Sequence, residues 1–173
     1  MEACRTKEIL QKEWGFLDPN DNKEFLATPN VKWCTAFYGS ALNDSFSFMC
    51  HFDLPCSTRS LLDLERAMEL RKLKGTEILC YLDGGYSFLY SSCTRKMVIK
   101  YVKKLNDSGW KINLVQKQYN IQFRPFCFRL GKGILYNIKT KQVSKYSMKP
   151  QIRTKGRKFC DVVFRIKAKL YEG

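Results

Sequence analysis

The stretch that decides the fold runs from Asn30 to Pro55, NVKWCTAFYGSALNDSFSFMCHFDLP. Two of its segments, CTAFYG (34–39) and FSFMCHF (46–52), are rich in aromatic residues. Between them Asn43 and Asp44 supply turn chemistry, so the stretch predicts a β-hairpin closed by Pro55. It also contains the one histidine of the chain, His51, and a cysteine 17 residues before it, Cys34. A turn centred between Leu42 and Asn43 would make Cys34 and His51 direct cross-strand partners, with Cβ atoms about 4.5–5.5 Å apart. Cys50 would then point to the opposite face, and Tyr38 would share the face of Cys34 as a packing residue. A cysteine beside an imidazole is a nucleophile unit. The ring takes the thiol proton, the thiolate attacks a carbonyl-type carbon, and a third group orients the ring.

Outward from the hairpin, SLLDLERAMELRKLKG (60–75) places Leu61, Leu64 and Met68 on one helical face and stops at Gly75. TRKMVIKYVKKLNDSG (94–109) repeats that logic with Val98, Val102 and Leu105. The spacing predicts two long amphipathic helices. KEILQKEW (7–14) reads as a short N-terminal helix. EFLA (24–27), TEILCYL (76–82), WKINLVQ (110–116), IQFRPFCFRL (121–130), GILYNI (133–138), KQVSKYSM (141–148) and CDVVFRIKA (160–168) read as strands, and DGG (83–85) as a turn. The expected class is α+β, with a mixed or antiparallel sheet core. At 173 residues the chain is expected to be one domain, with its core at about 24–145 and a basic extension at about 149–173.

Composition narrows the classes of function. No apolar run reaches the ~20 residues of a membrane span, and MEACRTKEILQKEW lacks the apolar core of a secretory signal. A cytoplasmic location is expected, in the producing cell or in a host cell that receives the protein. Eight irregularly spaced cysteines and no C-x-x-C argue against a disulfide framework or a zinc site. Most are expected to be small buried hydrophobes, and neither metal nor cofactor is expected. The net charge of +15, from 31 basic and 16 acidic residues, favours acidic partners. Lysines outnumber arginines 21 to 10, as on a generally solvated basic surface.

Further residues, in order along the chain, resemble the CheD family of chemoreceptor glutamine deamidases, whose fold is shared with the deamidase domain of cytotoxic necrotizing factor. In that family a threonine lies six residues before the catalytic cysteine, as Thr28 precedes Cys34. The histidine follows 17 residues after the cysteine and opens an H-x-x-L-P motif, matched by HFDLP (51–55). The 60–74 helix, the double glycine in YLDGGYSF (81–88), the helix ending at Gly109 and the hairpin FRLGKGILYNIKTKQV (128–143) extend the resemblance. It covers roughly residues 24 to 145. It implies a CheD-like fold and a protein-glutamine deamidase, of chemotaxis or effector type. The implied triad is Cys34 as nucleophile, His51 as acid–base and Thr28 as the group that orients the ring. The implied substrate is a protein with an exposed glutamine; the net charge adds the expectation of an acidic surface on it, and a monomer with no membrane attachment is expected. The chain departs from the family at Lys32-Trp33-Cys34, where Gly-Ser-Cys is usual, which alters the pocket and the oxyanion hole. Lys32 there would favour the thiolate if its ammonium lies near the sulfur. Gly84 and Gly85 are expected to serve a tight turn. The alternative is a catalytically retired CheD-like fold that binds nucleic acid or an acidic protein. KPQIRTKGRKFCDVVFRIKAKL (149–170), with eight basic residues against one acid, is the segment that supports it.

Overall fold

The computed structural model describes residues 5–29, 31, 34–84, 91–116, 133–146 and 168–171. Among them the expected α+β class is found, with ten strands and two α-helices. The strands are β1 (Thr6–Glu8), β2 (Glu13–Leu17), β3 (Phe25–Thr28), β4 (Thr35–Ala41), β5 (Ser47–Phe52), β6 (Glu77–Gly84), β7 (Lys111–Gln116), β8 (Gly133–Asn137), β9 (Val143–Tyr146) and β10 (Lys169–Leu170). The helices are α1 (Leu61–Leu70), which follows a 3-10 segment at Pro55–Ser60, and α2 (Ser91–Asp107).

The strands form two sheets, of order β10-β2-β5-β4-β6-β7 and β1-β3-β8-β9. Both are mixed: β2, β5, β4 and β6 pair antiparallel in turn, whereas β6 and β7 are parallel and joined through α2. Alternation along β5 explains how the layers assemble. Phe48, Cys50 and Phe52 point to one face and join Phe37, Cys80 and Leu82 in a core covered by the helices. The helices contribute Leu61, Leu64, Ala67 and Met68 from α1 and Val98, Val102 and Leu105 from α2. Met49 points to the other face and packs with Ala36 and Tyr38 against Leu26, Ile134 and Tyr136 of the smaller sheet. The six-stranded sheet is therefore the middle layer, apolar on both sides. Each fully buried Phe, Leu or Val contributes roughly 1.5–3 kcal/mol. Of the five described cysteines only Cys50 and Cys80 are buried thiols of this core; Cys34 and Cys56 are half-buried and Cys93 is exposed, so the expected burial of most cysteines is not found among the described residues.

Three expectations are corrected. Residues 7–14 are not a helix. Lys12, at φ 58°, turns the chain between β1 and β2. β1 pairs with β3 in one sheet and β2 with β5 in the other, so two sets of ladder bonds override the local helix propensity. The hairpin register is also two residues off the expected one. Ala36, not Cys34, lies opposite His51, because paired residue numbers in β4 and β5 sum to 87. The loop spans residues 42–45, with Asp44 at φ 59° donating its N–H to the carbonyl of Ala41, and with the Asn43 side chain accepting from the N–H of Ser45. The turn centre therefore sits between Asn43 and Asp44. Finally, Asp83 is not a turn residue: it is buried in β6 and accepts a 2.5 Å hydrogen bond from the Tyr38 hydroxyl. Tyr38 is the packing residue expected, stacked on Tyr81 within the core. The strands expected at 121–130 and over most of 160–168 lie outside the described residues, as does most of the basic segment 149–170.

Candidate active site

A shift of two residues keeps every side chain on its face. The β4–β5 ladder therefore still brings the Cys34 end of β4 to the His51 end of β5. Across the middle sheet, Glu13, His51, Ala36 and Asp83 form one row on the face turned to the smaller sheet. Thr28 reaches that row from β3, in the opposing sheet. Its Oγ1 lies 2.6 Å from His51 Nδ1, and both residues are buried, at 0% and 2% exposure. Thr28 and His51, 23 positions apart in sequence, thus meet through the packing of two sheets. Backbone bonds fix the ring's position further, because the His51 carbonyl accepts from the Lys12 N–H at 3.0 Å.

Cys34 sits at the entry to β4, partly buried and not in a disulfide. Extending the ladder one step past Thr35–Phe52 sets it against Asp53, with His51 as a diagonal neighbour. Diagonal cross-strand positions are about 7–8 Å apart, within reach of aromatic and long side chains. The charge that acts on the sulfur is the carboxylate of Asp53. Burial first, and then Asp53, push the Cys34 thiol up to about 12 from 9.0. The resting sulfur is thereby held as a thiol.

Gly84 explains how Cys34 is packed. At the end of β6 it has φ +79°, and a Cβ there would lie 2.1 Å from the Cys34 carbonyl oxygen and 2.4 Å from that of Val31. The absent side chain lets β6 close against the segment that carries the cysteine. Gly133 does the same for Thr28, whose carbonyl would lie 2.9 Å from a Cβ at position 133. Arg95 of α2 donates to the carbonyls of Leu82 and Gly84, tying the helix to this end of β6.

Four polar residues of the site escaped the sequence reading. Glu13 lies directly across from His51, and its Oε2 accepts from the Leu10 N–H at 2.9 Å. Asp83 closes the other end of the row. Asp53 carries two donors on Oδ2, Gln11 Nε2 at 3.2 Å and Lys12 Nζ at 3.5 Å. Lys12 is buried, a rare state for lysine without a paired charge. Parity was the available signal for Asp53, since it lies two residues beyond His51 in an alternating strand. No local pattern marks Lys12 or Glu13, whose positions depend on β2 pairing with β5. Lys32, Trp33 and Gly85 lie outside the described residues.

No protein-family model matches this sequence, and no curated protein matches it.

Proposed function

We propose that this protein is a cysteine-dependent protein-glutamine deamidase with Cys34, His51 and Thr28 as its catalytic group. One observation carries the reading: the 2.6 Å contact between Thr28 Oγ1 and His51 Nδ1, which holds the ring from its Nδ1 side and supports Nε2 as the atom of proton transfer. The CheD-like spacing of Thr28, Cys34 and His51 supports the same roles.

The chemistry balances on these residues. His51 takes the Cys34 proton as sulfur attacks the carboxamide carbon of a glutamine side chain. The resulting imidazolium returns that proton to the amide nitrogen, which leaves as ammonia, and a γ-glutamyl thioester remains. His51 then takes a proton from water as the oxygen attacks the thioester. Its return to sulfur releases glutamate and the Cys34 thiol. Thr28 carries no charge, so it orients the ring without stabilising imidazolium as a carboxylate would. Glu13, across from His51 on the same face, supplies negative charge for that purpose.

The substrate is a protein with an accessible glutamine and an acidic surface, in keeping with the net charge of +15. The binding-only alternative rests on the basic segment 149–170, which the described residues barely include. Mass spectrometry of candidate acidic proteins incubated with wild type and Cys34→Ala tests the reading. Conversion of defined glutamines to glutamate by wild type alone is the expected result. Equal conversion by Cys34→Ala, or none by wild type together with salt-sensitive nucleic-acid binding, overturns it.

A further inference from the structure

Asp53 is not part of the triad that the CheD resemblance implies, yet it lies one residue beyond the last ladder pair, Thr35–Phe52, and its carboxylate acts on the Cys34 thiol. Both hydrogen-bonding or ionic partners found for its carboxylate, Gln11 and Lys12, engage Oδ2. Oδ1 is buried and has no hydrogen-bond partner among the described residues. A buried carboxylate oxygen without a donor is costly, and such groups mark places where a ligand supplies the missing bond. The ligand group that meets the need is an N–H donor. A primary carboxamide offers two N–H donors and no charge, whereas a carboxylate offers only acceptors and a like charge.

We propose that Asp53 is a specificity-determining residue, whose carboxylate beside Cys34 admits primary carboxamides and rejects carboxylates. The glutamine of the substrate comes from the deamidase reading, on which this inference rests. Asp53 would accept an N–H of the glutamine amide as sulfur approaches its carbon. After hydrolysis the same position holds the carboxylate of glutamate, and two like charges in a poorly solvated site repel. One side chain thereby favours substrate entry and product exit. Lys12 does not cancel the effect at sulfur, because the thiol responds to the carboxylate, which disfavours its ionised form.

Iodoacetamide and iodoacetate test this directly, because they alkylate the same thiol and differ as glutamine differs from glutamate. Rates at Cys34 would be followed by peptide mapping, with exposed Cys93 of α2 as the reference within the same chain. Cys34 should prefer the amide reagent over the acid by about tenfold more than Cys93 does. Asp53→Asn, with its fold checked by thermal melting, should remove most of that excess, whereas Asp53→Glu should keep it. An equal preference at Cys34 and Cys93, an excess unchanged in Asp53→Asn, or failure of both reagents at Cys34 overturns the proposal. The wild-type comparison decides even if neither variant folds. Alkylation needs no deamidase activity, so a missing preference leaves the deamidase reading standing, and a missing activity leaves the preference measurable.

Discussion

Thr28 and His51 are joined by a contact that neither residue's neighbours in sequence require, and its removal separates orientation from chemistry. Thr28→Val keeps the shape and deletes the hydroxyl, leaving a buried ring nitrogen without its partner at a cost of ~1–3 kcal/mol. On the deamidase reading, kcat should fall about 10²-fold with little change in KM, because Thr28 is fully buried and acts through the ring. Steady-state kinetics with a melting curve checks both effects. The Cys34 thiol gives a second expectation. Burial and Asp53 raise its pKa to about 12, so its alkylation rate should keep climbing above pH 9.0 instead of levelling off near neutrality. A rate that is flat from neutral pH upward would show a preformed thiolate and refute this picture of the resting site. Exposed Cys93 should therefore label before Cys34 in the free protein.

At the scale of elements, the hairpin was legible and its register was not. Aromatic arms and the Asn43-Asp44 turn announce two strands, but one residue's difference in the turn centre moves the pairing by two positions. Face assignments survive that shift, so parity alone could foresee that His51 and Asp53 share a face, whereas the pairing of Ala36 with His51 could not be foreseen. The N-terminal segment was misread because its lysines, glutamates and leucine favour a helix, and only pairing with β3 and β5 makes it two strands. The helix periods at Leu61–Met68 and Val98–Leu105 were legible because each buries a single stripe. Gly84 was read as a turn former, but its close approach to Cys34 is a tertiary fact. Gly84→Ala should be severe: the residue has φ +79° and the new Cβ would strike the Cys34 carbonyl. Displacing the nucleophile by ~1 Å costs on the order of 10²-fold in rate. The expected result is lost activity with Thr28 and His51 still packed, seen as near-native far-ultraviolet circular dichroism and a lowered melting temperature.

For the whole molecule, the three layers bury the Thr28–His51 contact between two sheets and leave Cys34 at the end of a strand. Among the described residues no helix is long and apolar enough to cross a membrane. Burial raises the pKa of Cys34, Cys50 and Cys80 above 9.0. The folded state thus keeps protons that the unfolded chain loses above that pH. The stability linked to them is fully present below pH 9.0 and declines as pH rises further, visible as a falling denaturation midpoint. The net charge of +15 predicts that KM for the protein substrate rises with salt, since surface attraction shrinks from a range of about 30 Å at ~0.01 M to about 8 Å at ~0.15 M. The covalent step itself is best tested by adding hydroxylamine during turnover of the modified protein. A γ-glutamyl thioester on Cys34 would partition to the amine, so wild type should yield glutamyl hydroxamate at the same glutamine, and Cys34→Ala none. Deamidation that continues without any hydroxamate, or hydroxamate formed equally by Cys34→Ala, would mean that Cys34 is not the nucleophile.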